Sequence, residues 1–319
     1  MVTSPHSLGI WRLGGTMLVV GGVLVAALTA AIIPLVIAAA SGNLSIPHND
    51  AWAYSRIAEV FWSTGRVELV GWNRSPLVGQ LLLLAPLGFS VTAQQAGVAA
   101  LALGTVILTY VLARRYIGDR RGALVAVTVA LWPGLALLAT SYMTDVPSAF
   151  GCVACLAIGD RALREERQGR ARLLLVAATL VGLWAVSVRT QTLAAPVAIL
   201  IAAWCDRAAR RRIGSPLIAT ALVASAAVAA AVIAWHDQQP RADAPDGALT
   251  AQTLASIATS GLQWAFTVGL ALSPVVVAVA RPALWRPSAW VVAATAGAAG
   301  AGWAVAVGTD RFFLGNYLS

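Results

Sequence analysis

Residues 161–212 read RALREERQGRARLLLVAATLVGLWAVSVRTQTLAAPVAILIAAWCDRAARRR. Two apolar runs, 172–188 and 192–205, lie between two arginine-rich segments and meet at Ser187-Val-Arg-Thr-Gln191. An apolar helix needs roughly 20 residues to cross a bilayer. Two crossings return the chain to the side it left, so both arginine segments share one side and the turn lies on the other. The runs are shorter than a full crossing, which draws the turn and Arg189 below the membrane surface. An arginine pulled toward hydrocarbon needs an anionic partner, and phosphate matches its fork of donors. Snorkelling to lipid headgroups is the competing reading.

Outward from this hairpin the pattern repeats. The 319 residues are 59% hydrophobic and only 11% charged, with mean hydropathy +0.78, which excludes a soluble globular domain. Spans are expected at 15–39, 92–112, 122–140, 147–159, 172–188, 192–205, 216–235, 262–280 and 289–308. The fold expected is an all-α polytopic membrane protein of about nine spans, a single transmembrane domain over residues 1–319 with no separate soluble domain. The stretch 76–89 reads as a juxtamembrane helix, with partial re-entry as the alternative. All 22 basic residues are arginine, and with so few charges the net +9 reads as an orientation signal; no nucleic-acid partner is expected. The absence of lysine also suggests a GC-rich bacterial genome. Three cysteines make no disulfide framework. Cys152-x-x-Cys155 reads as small-residue helix packing, and Cys205 as a free thiol.

Sixteen arginines fall on the side of the Arg161–Arg172 segment and six, among them Arg74 and Arg189, on the other. The positive-inside rule puts the first set and the N-terminus in the cytoplasm, with the carboxylate-rich face outward. The first outer loop, 40–75, carries Asp50-Ala-Trp-Ala-Tyr-Ser-Arg-Ile-Ala-Glu-Val-Phe-Trp62. Tyr54, Ile57, Ala58 and Phe61 recur at helical spacing, which predicts an amphipathic helix lying on the membrane, with Trp52, Trp62 and Trp72 in the headgroup layer. Two spans separate Asp50 from Asp145, so parity returns the two acids to one face. Each stands beside a helix start, where capping competes with a role as general base or ligand. His48, two residues before Asp50, is the only nearby imidazole, and a divalent cation held by Asp50, Asp145 and His48 is an open alternative to a cofactor-free site.

Asn49-Asp50-x-x-x-Tyr54 through Thr64-Gly65 and Trp72, Tyr142-Met-Thr-Asp145-x-Pro147, and Arg189-x-Gln191 followed by Pro196 together resemble bacterial GT-C glycosyltransferases. The subgroup most similar is the protein mannosyltransferase-like one, family 39 in the usual classification, and the likeness covers most of residues 15–205. It implies an inverting enzyme of the bacterial inner membrane. Such an enzyme takes a sugar from a polyprenyl-phosphate donor and passes it to a glycan, lipid or protein acceptor at the outer face. Asp50 matches the family's catalytic Asp and Asp145 its second outer-loop acid. Arg189, Arg74, Tyr54 and Gln191 are the expected substrate contacts.

The chain also departs from that pattern. Asn49-Asp50 stands where an acidic pair is common, and Thr190 follows Arg189 where Glu is common. Family members run beyond nine spans, so a shortened, non-catalytic paralogue or a fragment is the alternative reading. A lipid or solute transporter would place ionisable groups mid-span and repeat its halves; neither feature is present in the sequence.

Overall fold

The computed structural model describes residues 6–47, 50–69, 79–81, 87 and 90–238, all within the unit Met1–Pro240. Among the described residues every regular element is helical. In chain order these are α1 (His6–Ala40), α2 (Asp50–Thr64), α3 (Val91–Ile117), α4 (Asp119–Ala130), α5 (Pro133–Leu138), α6 (Asp145–Arg164) and α7 (Gln168–Val188). A 3-10 turn (Thr190–Leu193) follows, then α8 (Ala194–Cys205), α9 (Arg207–Ile213) and α10 (Ser215–Asp237). Helices are the expected answer for so apolar a chain, because each satisfies its own backbone donors and acceptors where no water can.

Among the described residues five helices are long and apolar enough to cross a membrane: the Val19–Ala40 part of α1, α3, α6, α7 and α10. A sixth crossing arises if Thr190–Cys205 and α9, bent by 100° at Asp206, count as one. The sequence pattern predicts seven spans over this part of the chain; 192–205 passes only as part of the bent pair, and 122–140 is not one continuous helix. That run is broken into α4 and α5, neither long enough to cross alone. The cause is Pro133, which has no N–H to donate into the preceding turn and pushes Trp132 into an extended conformation, ψ 123°. The expected spans 262–280 and 289–308 lie outside the described residues.

Two cores organise the helices. The first gathers Val23 and Ala27 of α1, Tyr54 and Ile57 of α2, Val98 and Val106 of α3, and Tyr142 and Val146 at the start of α6. The second gathers the end of α6, α7, α8, α9 and the first turn of α10 around Leu175, Leu200, Ile213 and Ile218. α6 and α7 join them, and small residues allow the close approach. A Cβ added at Gly151 of α6 would stand 2.7 Å from the Ala185 Cβ of α7. The expected amphipathic helix is α2, with Tyr54, Ile57 and Ala58 buried and Trp52 and Trp62 exposed. Its apolar face packs into the first core, not against lipid. Gln80 and Leu81 are likewise buried, and the Gly79 carbonyl accepts from Trp184 Nε1 at 2.7 Å, so this part of 76–89 is held inside the bundle.

At the arginine-rich end the charges lock α3 to α6. Asp160, 5% exposed, accepts from Arg115 Nη1 of α3 at 2.7 Å, from Arg164 Nε at 2.9 Å and from the Tyr116 hydroxyl. Fifteen residues separate Asp160 from Asp145, about 22 Å along the helix. Since the C-terminal ends of α3 and α6 are pinned together, their N-terminal ends share the opposite face. Asp160→Ala strands Arg115 and the Tyr116 hydroxyl, but both can reach water, so the loss is about 1–3 kcal/mol and not the larger penalty of a fully buried charge. A clear drop in unfolding temperature in detergent checks this, and wild-type stability in the variant would show that the cluster is ornamental.

Candidate functional site

The opposite end of the bundle is built on the α6–α7 hairpin. α7 ends at Val188, and Arg189 leaves it in an extended conformation, φ −146°, ψ 124°. Its backbone is fixed on both sides. The Arg189 N–H donates to Ala185 O at 2.8 Å, while its carbonyl accepts from the Thr192 N–H at 3.1 Å and the Thr192 hydroxyl at 2.7 Å. The side chain is therefore launched from a rigid turn toward the first residue of α6.

There it forms a fork. Arg189 Nη1 lies 3.0 Å from Asp145 Oδ1, Nη2 donates to Asp145 Oδ2 at 3.0 Å, and Nε donates to Thr144 Oγ1 at 2.7 Å. Nε and Nη2 each donate a hydrogen bond and Nη1 adds an ion-pair contact, while the outward N–H groups of Nη1 and Nη2, on opposite edges of the guanidinium, remain for other acceptors. The two charged side chains are 28% and 32% exposed, which leaves the pair reachable. The geometry decides between the readings open for Asp145. Thr144 occupies the cap position without a side-chain cap bond, and the Asp145 carboxylate goes to Arg189. A carboxylate that meets a guanidinium through both oxygens positions that guanidinium.

Asp50 opens α2 and is half-buried. Four residues before Tyr54, it lies on the helix face that carries Tyr54, Ile57 and Ala58 into the first core. That core also holds Tyr142 and Val146, which flank Asp145 in sequence, so the helix bearing Asp50 packs at the same end as the fork. Gln95 Nε2 donates to Ile46 O at 3.5 Å and ties the loop before α2 to the start of α3.

The other expected contacts are distributed differently. Tyr54 is buried, 4% exposed, and serves the core. Gln191 is exposed on the 3-10 turn beside Arg189. Arg74 and His48 lie outside the described residues, and among those described no group of three His, Cys, Asp or Glu side chains comes together as a metal site. Cys155 is buried and Cys152 half-buried within α6, and both are free thiols.

Sequence reading missed Thr144 as the third member of the fork, and Gln80 and Tyr142 beneath it. Gln80 is fully buried, and burial raises the Tyr142 hydroxyl above its ordinary value while the Gln80 side chain pulls it back. On the other face of α2, Trp52, Ser55, Arg56 and Glu59 line a groove of about 580 Å³ with Ser90 and Gln94 of the α3 start. It includes none of Asp50, Asp145 or Arg189.

Comparison with protein-family models, curated proteins and solved structures finds no match for the chain.

The fork predicts energetic coupling. In a double-mutant cycle on Asp145→Ala and Arg189→Ala, unfolding in detergent yields a coupling energy of about 1–3 kcal/mol, since a charge-assisted bidentate contact is lost only once. Additive single-variant effects would mean that the contact contributes nothing.

Proposed function

We propose that the protein is a polyprenyl-phosphate-dependent glycosyltransferase, acting at the membrane face opposite its arginine-rich end. The observation that supports this most is the guanidinium of Arg189, held in plane by Asp145 and Thr144 with two donors left over, at the end of the bundle to which the helix bearing Asp50 is packed. A guanidinium fixed in plane with an outward N–H to spare suits an anion that gains charge as a bond to it breaks.

In this reading the acceptor hydroxyl attacks the anomeric carbon from the face opposite the phosphate. Asp50 takes the hydroxyl proton as the new C–O bond forms. The bond from the anomeric carbon to the phosphate oxygen breaks, its electron pair stays with the lipid phosphate, and Arg189 stabilises the charge gained there. Asp145 orients Arg189 and touches no reacting atom. Gln191, exposed on the same turn, is the second donor contact. No cofactor enters this scheme. The positive-inside rule turns the site outward, in the inner membrane of a bacterium. The acceptor is a hydroxyl-bearing glycan, lipid or protein.

Asp50→Asn keeps the size and the helix-start chemistry but cannot accept a proton. Turnover of a radiolabelled polyprenyl-phosphate sugar is expected to fall by roughly 10²–10⁴ with unchanged expression and unfolding temperature. Transfer by the Asn variant at the wild-type rate would remove Asp50 from the chemistry, and no transfer by the wild type with a panel of donors would remove the assignment.

A further inference from the structure

The arginine-rich end holds a second feature that glycosyl transfer does not use. α8 ends at Cys205, the chain bends by 100°, and α9 runs Arg207-Ala-Ala-Arg-Arg-Arg-Ile213 before α10 begins. Asp206 caps α9 by accepting from the Ala208 and Ala209 N–H groups at 2.8 and 3.2 Å. Two of the four arginines are committed to the protein. Arg212 donates to Leu163 O at 2.6 Å, and Arg210 donates to Trp204 O at 3.0 Å with its guanidinium 5.8 Å from the Trp204 ring centre. Arg207 and Arg211 are exposed and have no hydrogen-bond or ion-pair partner among the described residues.

Next to this helix lies an apolar groove of about 340 Å³ between α8 and α10, lined by Ile201, Trp204, Ala219, Leu222 and Val223. Trp204 belongs to both features, because its ring lines the groove while Arg210 stacks over it. Two unpaired cations stand beside an apolar channel, at the level where α8 ends and α10 starts. That arrangement complements a molecule with an anionic head and a hydrocarbon tail. A soluble anion would have no use for the groove, and a neutral lipid none for the arginines.

We propose that α9 and the α8–α10 groove form a binding site for an anionic phospholipid of the leaflet at the arginine-rich end, with the headgroup phosphate on Arg207 and Arg211 and one acyl chain along Ile201, Trp204 and Val223. The site is separate from the proposed donor site, since the length of α8 lies between them, and it does not depend on the protein's being a transferase.

The test is native mass spectrometry of the full-length protein in detergent, titrated with phosphatidylglycerol or phosphatidylcholine. Wild type is expected to retain one phosphatidylglycerol at least ten-fold more tightly than phosphatidylcholine, and soluble glycerophosphate should not displace it. The pair Arg207→Gln/Arg211→Gln removes that preference. The control pair Arg120→Gln/Arg161→Gln deletes the same charge from the same end of the bundle and leaves the preference intact. Val223→Trp fills the groove and weakens retention without altering either arginine. Equal loss in the two arginine pairs would replace the site by diffuse surface charge, and displacement by glycerophosphate would remove the acyl chain from it. Unchanged retention in Val223→Trp, or no headgroup preference in the wild type, would overturn the proposal.

Discussion

A charge in a hydrocarbon layer must find an opposite charge or leave it, and α6 is arranged around that rule. Its first residue, Asp145, and its next-to-last turn, with Asp160, carry its two carboxylates, and each is held by an arginine from another part of the chain, Arg189 just past the end of α7 and Arg115 on α3. Arg189 fastens the upper end to the α7 turn, and Arg115 fastens the lower end to α3. Between the two pairs the helix is small and apolar, and Gly151 permits the contact with α7 that no larger residue would. The position of the α6–α7 hairpin follows from these two ion pairs, and the position of Arg189 follows from the hairpin.

The two pairs are chemically alike but differ in what they leave available. Asp160 is nearly sealed and receives three donors, so its cluster has little left to offer. The Asp145 pair is about a third exposed, and its arginine has two N–H groups in hand. One end therefore works as a fastening and the other as a fastening that can also bind. A rigid backbone at Arg189, fixed by Thr192 and Ala185, would leave little ordering cost for the anion that the proposed function places there.

The helical character of the chain and the amphipathic face of α2 were legible from spacing and hydropathy alone. The run before Arg189 extends to the 21 residues of α7, long enough to cross, so its length does not recess the turn; the anion expected beside Arg189 is present as Asp145. What could not be read was that the partner would be another residue of the chain, because sequence spacing does not report which turns of two helices meet. Thr144 read as helix-start chemistry, and its hydroxyl instead takes the Arg189 Nε–H. The break at Pro133 was visible in principle, but the hydropathy of 122–140 stays high on both sides of it and masks it. Asp160 passed unnoticed for a related reason: one carboxylate among the arginines of a helix end looks like a solvated charge until α3 is packed against it.

The proposed function requires Arg189 to be a phosphate grip and not only a structural pin. Binding of polyprenyl phosphate to purified wild type and Arg189→Lys, in the same detergent, separates the two. Lysine keeps the positive charge and can still reach Asp145, but it cannot hold that carboxylate in a fork and present two further donors. The account predicts affinity about ten-fold weaker in the variant with its fold retained, corresponding to a charge-assisted contact of roughly 1–2 kcal/mol. Equal affinity in the two proteins would contradict it.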